Sequence, residues 1–295
     1  MAGETIDQAL VTQFSSNVHN AAQQTKARLR SHVEIIPITG DKFAYDGLGS
    51  VEASEQFGRH EAVIFSDANH TRRKISRRRF TLTLPIDASD VRGALISPSS
   101  QYAQVCVRAM ERVFDRVVIE SMFVPVYTGR DMDTVVAFAT DGGSTVDATA
   151  GLTYEKLLEV GQNFIDKEVG TELPEDLVMG ISGDEHTALM QENELTNGDF
   201  TKQYVVEKGK IAQAAGIGLI LFAGAIDHPL LSVTAGTRDC FAMSTRGMAV
   251  GMSKEMGLKI EDRSDLVETT QVQIIFELGA VRTEGVLVQK VQTTD

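Results

Sequence analysis

Residues 70–80 read HTRRKISRRRF: six arginines and lysines, no acidic side chain, in a chain of 295 residues with a formal charge of −13. Outside this run, 22 basic side chains face 41 acidic ones. In an extended backbone successive side chains alternate faces. Arg72, Lys74 and Arg78 then point one way, and Arg73, Arg77 and Arg79 the other. A strand charged on both faces has no apolar side to bury. It is expected to project into solvent or into another molecule, reaching about 33 Å over ten residues. The acidic remainder repels nucleic acid, so attraction to phosphate is local. A basic arm on an acidic body is a head-to-tail device: each copy offers the arm and also the surface that receives it.

The rest of the chain alternates helical and strand periods. Ile6, Leu10, Phe14, Val18 and Ala22 recur near every fourth position, predicting an amphipathic helix over 4–31 that needs a partner surface. EAVIFSD reads as a strand, SDANHT as a bend and Phe80–Ile86 as an alternating strand, together a long hairpin with the basic run at its bend. Ser97 and Pro98 then open the strongest helix, about 98–123 and roughly 37 Å long. Its apolar stripe is Tyr102, Val105, Cys106, Ala109, Val113, Val117 and Met122. Arg108, Arg112 and Arg116 form a second stripe, spaced to pair along the helix with Glu111, Asp115 and Glu120. VVAFATDG reads as a strand and DGGSTVDATAG as a loop. A helix is built on Leu152–Ile165, and DLVMGIS and GLILFAG read as buried strands. Beyond residue 240, CFAMS, MAVGM, LKIED, QVQIIFEL and GVLVQKVQ read as strands joined by short turns. The fold class is α+β.

No chemistry announces itself. No Walker pattern or G-x-S-x-G elbow is present, and the G-x-G at Gly216 and Gly218 lacks its third glycine. No histidine has metal-ligand spacing; Asp184, Glu185 and His186 read as the first turn of a helix capped by Ser182. Neither a catalytic residue nor a cofactor is expected. Cys106 and Cys240 lack C-x-x-C spacing and read as free thiols in a reducing compartment. The start has no secretory pattern and no stretch reaches a membrane span's length, so synthesis in the cytoplasm and no membrane partner are expected.

The order of these parts resembles that of tailed-phage major capsid proteins of the Hong Kong 97 type. IDQALVTQFSSNVHNAAQQTKARLRSHV is similar to the opening of the podophage-like branch. SSQYAQVCVRAMERVFDRVVIESMF resembles the spine helix, whose R-x-x-D-x-x-I/V-I pattern falls on Arg112, Asp115, Val118 and Ile119. KGKIAQAAGIGLILFAG resembles a turn of the A-domain. MGLKIEDRSDLVETTQVQIIFELGAVRTEGVLVQKVQ resembles the closing P-domain strands, with Gly279, Ala280, Arg282 and Glu284 in their ending.

The resemblance implies an N-arm over 1–35 and a linker with the E-loop hairpin over 36–86. It implies a P-domain with spine helix over 87–149, an A-domain over 150–245 and P-domain strands over 246–295. It implies self-assembly, as pentamers and hexamers, into an icosahedral shell around double-stranded DNA, in a virion and without enzymatic activity. Arg72, Arg73, Lys74, Arg77, Arg78 and Arg79 become the E-loop's contacts with a neighbour. A separate scaffolding protein, a portal, decoration proteins and non-specific DNA contact are the implied partners, and no cross-link is assigned. An encapsulin-like compartment holding a cargo enzyme shares this fold and length, and is the alternative reading.

Overall fold

The computed structural model describes residues 23–49, 51–53, 55, 65–87, 99–169, 177–192, 206–207, 210–224, 230–263 and 269–294. Expectations for residues 1–22, for Ser97 and Pro98, and for the first half of EAVIFSD fall outside them. The chain runs β1 (Glu34–Pro37), β2 (Lys42–Leu48), β3 (His70–Ser76), β4 (Arg78–Asp87) and then α1 (Ser99–Phe123). Next come β5 (Val126–Thr128), β6 (Thr134–Val136), β7 (Ser144–Ala148), α2 (Tyr154–Ile165), β8 (Leu177–Ile181) and α3 (Gly183–Gln191). The short strands β9 (Val206–Glu207), β10 (Lys210–Ile211) and β11 (Gln213–Ala214) precede β12 (Ile217–Leu221) and β13 (Val233–Thr234). The end is β14 (Thr237–Ser244), β15 (Met248–Arg263), β16 (Thr269–Arg282), a 3-10 turn at Gly285–Leu287 and β17 (Val288–Thr294).

Three sheets organise these elements, and β9 and β10 form a separate two-stranded pair. One has the order β1-β15-β16-β4, with α1 packed on it. A second runs β11-β12-β8-β14-β17-β7, with β13 beside β14. The third is β2-β3-β5-β6. The main core is continuous: Met110, Phe114, Val118 and Met122 of α1, Val272, Ile274 and Phe276 of β16, and Leu157, Val160 and Phe164 of α2 belong to one buried cluster.

A smaller core of Ile38, Ile75, Val126, Ala249 and Val281 joins the third sheet to the first. Glycine makes that junction close. Gly251 and Gly279 are cross-strand partners in β15 and β16. A Cβ on Gly279 would collide with the Ser76 carbonyl oxygen, and one on Gly251 would lie 2.9–3.0 Å from Ile38 and Ile75. Any larger side chain would push the end of β3 off the first sheet.

Several local expectations change. Residues 23–31 are not helical, because the amides of Ala27, Arg28 and Leu29 donate to carboxylates of α1 instead of to carbonyls of their own turn. On α1, Cys106, Val117 and Met122 are buried as expected, but Met110, Phe114 and Val118 share the innermost face and Tyr102 is exposed. The helix is covered from two sides, by the first sheet and by residues 24–30, so its buried arc is wider than one stripe.

The expected strand VVAFATDG shortens to β6, after which the chain turns. The expected loop DGGSTVDATAG contains β7, whose Val146 and Ala148 are buried where it pairs in parallel with β17. MAVGM and LKIED are one strand, β15; the irregularities between Met252 and Gly257 are bulges, not a turn. The capping box on α3 is present, Ser182 and Glu185 each serving the other's backbone amide end.

Candidate inter-subunit surface

The basic run is two strands. It breaks at Arg77, which separates β3, paired with β2, from β4, paired with β16. The expected free projection is therefore corrected: all six cationic side chains have partners in their own chain. The reason lies in the register. Asp46 is directly opposite Arg72, and Glu277 directly opposite Arg79. Opposite charges at such positions attract across the ladder. Arg72 grips Asp46 through Nε and Nη2 at 2.6 and 3.2 Å. Arg79 reaches Glu277 at 3.5 Å. Arg77 pairs with Asp41 and, at 3.0 Å, with Glu277. Arg78 donates to Glu120 of α1 at 2.9 Å and lies over Phe80. Lys74 sits over the Tyr127 ring, 4.5 Å from its centroid.

Arg73 is the exception in burial, at 7% exposure, on the same side of β3 as fully buried Ile75. Its guanidinium donates twice to Asp141, at 2.7 and 2.8 Å, and to the Arg282 carbonyl at 3.2 Å. Arg282, wholly buried at the end of β16, donates to the same carboxylate at 2.9 Å. It also donates to the carbonyls of Met122 and Val124, at 2.5 and 3.3 Å, and stacks near Phe138. A cation there meets the negative end of the helix dipole.

One carboxylate thus holds the root of β3, the end of β16 and the end of α1 together. Burial pushes the Asp141 carboxyl up, but the bonds from Arg73 and Arg282 outweigh it and hold it below the ordinary range. Burial pushes Arg282 down, against the pull of Asp141. The linkage sign follows from the lowered carboxyl: its stabilisation is complete above the unfolded value near 3.8 and is lost as pH falls through the folded one. Denaturant unfolding of the parent and Asp141→Asn compared from pH 7 to pH 3 is expected to show a constant gap down to about pH 4, closing below it. A gap that closes nearer pH 6 would show that the carboxylate is not held this way.

The charges of α1 do not pair along the helix as expected. Glu111 accepts from the Ala27 amide at 2.9 Å, and Arg112 donates to Gln23 at 2.7 Å. Asp115, fully buried, accepts from the amides of Arg28 and Leu29 at 2.9 and 3.0 Å and from the Gln24 side chain. Burial pushes the Asp115 carboxyl up, and these donors pull it back only in part. Glu120 serves Arg78, while Arg108 and Arg116, both half-buried, make no ion pair among the described residues.

Sequence reasoning missed two roles. Asp141 lies where the expected strand VVAFATDG meets the expected loop DGGSTVDATAG, with no signal that it is buried. Arg282 falls within the closing-strand motif, which assigns it no function. In the second sheet, Arg238 donates to Ser182 and lies 3.6 Å from Glu185, a further buried charge cluster behind the α3 cap. Among the described residues, no group of His, Cys, Asp and Glu could hold a metal ion, and no helix is long and apolar enough to cross a membrane.

Among curated proteins no match is found. Solved structures do match in fold. The capsid structure of cyanophage P-SCSP1u superposes with a TM-score of 0.73 at 11% identity, over 98% of this chain and 94% of that one. The acid-stable capsid structure of Helicobacter pylori bacteriophage KHP30 gives 0.73 at 9% identity, over 96% and 95%. The capsid of Ralstonia phage GP4 gives 0.71 at 9%, over 96% and 94%. The Hong Kong 97-like α+β fold expected from the order of parts is consistent with these superpositions. The model of the phage capsid protein family matches residues 6–294. The chain belongs to the phage capsid protein family.

Proposed function

We propose that this subunit builds a non-covalent shell around double-stranded DNA by laying its β2–β3 hairpin over a neighbouring copy. The observation that carries this reading is the apolar neck of the hairpin. The Gly49 amide bonds the Asn69 carbonyl at 2.8 Å, continuing the ladder one step past Leu48 and His70. At the end of the third sheet and beyond it, Leu48, Val51 and Phe65 are 62, 50 and 89% exposed. Side chains of that size left in water at a strand's end mark a surface that another molecule covers. The hairpin's root is held by Arg73, Asp141 and the Gly251–Gly279 crossing, so force on it passes to α1 and β16.

In this reading the hairpin is the E-loop and α1 the spine helix. The first sheet is the core of the P-domain, and the second sheet, with α2 and α3, is the A-domain; this reading moves β7 and β17 there from the P-domain bounds of 87–149 and 246–295 that the resemblance implies. Residues before about 35 are the N-arm, tied to the spine at Glu111 and Asp115. Arg78 and Arg79, whose side chains are 50 and 62% exposed, remain open to a neighbour's carboxylates, whereas Arg73 is spent inside its own chain. The role is structural and not enzymatic. Scaffolding, portal and decoration proteins are the partners that such a shell takes.

Phe65→Ser, and separately Arg78→Glu with Arg79→Glu, test the reading by negative-stain imaging of purified particles. Both variants are expected to unfold within about 1 kcal/mol of the parent and to yield few or no shells. Parent-level shells from Phe65→Ser would overturn the hairpin contact, and from the double reversal the contact made by the start of β4.

A further inference from the structure

Beneath the hairpin root lies a cleft of about 650 Å³, between β3 and the turn that joins β5 to β6. Its lining includes Arg72, Arg73 and Arg130 against Asp46 and Asp141. Arg72 and Asp46 cancel at the rim. Asp141 is shared between Arg73 and Arg282, with 8, 8 and 0% of the three side chains exposed. At and behind the floor, two guanidiniums therefore share one carboxylate. Arg130 is exposed on the turn and makes no ion pair among the described residues, although Asp131 and Asp133 are its neighbours in sequence. Among the lining side chains one positive charge is left over, and the buried Arg282 lies behind Asp141. Arg73 Nε and Arg282 Nη2 are, in addition, buried without an acceptor. A buried donor left unpaired and a buried charge left unbalanced are each costly.

We infer that this cleft binds a carboxylate-bearing loop of a second copy of the chain; the inference rests on the assembly reading above. A carboxylate supplies what the site lacks: negative charge and acceptor oxygens for guanidinium donors. The volume is many times that of a bare carboxylate, so the guest enters with its flanking chain. A second copy is the fitting source because the rest of the chain is strongly acidic, with 22 basic against 41 acidic side chains outside the basic run. In a shell, each cleft is surrounded by that surface. A nucleic-acid backbone fits less well. It brings a row of phosphates and needs a continuous cationic stripe, and here Asp46 and Asp141 interrupt the lining. Arg130 at the mouth steers and orients the guest, while the charge on the floor holds it.

The test uses shells made by the full-length chain. Arg130→Glu is expected to leave denaturant unfolding of the subunit unchanged, since the side chain is exposed, and to cut shell yield at least tenfold. Arg130→Lys is expected to retain most of it. A photo-crosslinking residue at Thr128, on the cleft wall, is expected in assembled particles to join a peptide containing Asp or Glu from another copy. Parent-level assembly by Arg130→Glu, or crosslinks confined to DNA or to the same copy, would overturn the site. Absence of shells from the parent protein would overturn the assembly reading and the cleft with it.

Discussion

Asp141→Ala is expected to lower the unfolding free energy of the isolated subunit by about 3–5 kcal/mol. The substitution leaves Arg73 and Arg282 facing each other, nearly or wholly buried, with no carboxylate between them. Breaking one partner out of a buried pair costs far more than the pair itself contributes, because the remaining charge is stranded away from water. Here two charges are stranded. The root of β3 and the end of β16 lose their common anchor as well, while Arg282 keeps its bonds to the carbonyls at the end of α1.

Urea denaturation measures the effect directly, and a midpoint shift at constant slope is the expected form. A double replacement, Arg73→Met with Asp141→Leu, is expected to recover part of the loss. It removes a buried charge together with its partner, and Arg282 keeps the carbonyls of Met122 and Val124. A loss below about 1 kcal/mol in the single variant would show that the hairpin root is held by its small apolar core alone.

Asp115→Ala comes next in size, at about 2–4 kcal/mol. Its carboxylate is the acceptor for two backbone amides and the Gln24 side chain. Alanine orphans the buried Leu29 amide and removes the same acceptor from the part-buried Arg28 amide and Gln24 side chain. The loss is local, so its sharper readout is proteolysis. Lys26, Arg28 and Arg30 lie on the segment that Asp115 holds, with Leu29 wholly buried between the last two. Trypsin samples the opened segment, so cleavage there is expected to accelerate roughly tenfold or more in the variant. Asp115→Asn, which keeps one acceptor oxygen, is expected to fall between. Equal cleavage of parent and Asp115→Ala would mean that Leu29 in the core, not the carboxylate, holds the segment.

Both predictions concern acidic residues, and the sequence treated the two very differently. Asp115 was singled out, for the right helix but the wrong partner. A helix makes charges three and four residues apart neighbours, so pairing along α1 was the available inference. What outbid it was a segment more than eighty residues earlier in the chain, whose backbone amides the helix receives. Asp141 carried no mark at all. It follows a short strand in a turn before two glycines, a place where aspartate is ordinary on the surface. Nothing local indicates that two arginines, from positions 73 and 282, converge on it.

The amino-acid sequence by itself determined the periodic elements, because their signal is local. It marked the long helix by an apolar spacing of three and four, the α3 cap by a serine and a glutamate three residues apart, and β4 and β16 by strict alternation. It also set the contrast between one basic run and an acidic remainder, and the order of parts shared with phage capsid proteins. Only the tertiary structure decided which acids meet that run. Strand register put Asp46 and Glu277 opposite arginines, and a glycine crossing brought β3 onto β16 and Asp141. A charge on a strand carries no record of its partner: attraction acts through space, and the fold alone sets which distant residues share that space.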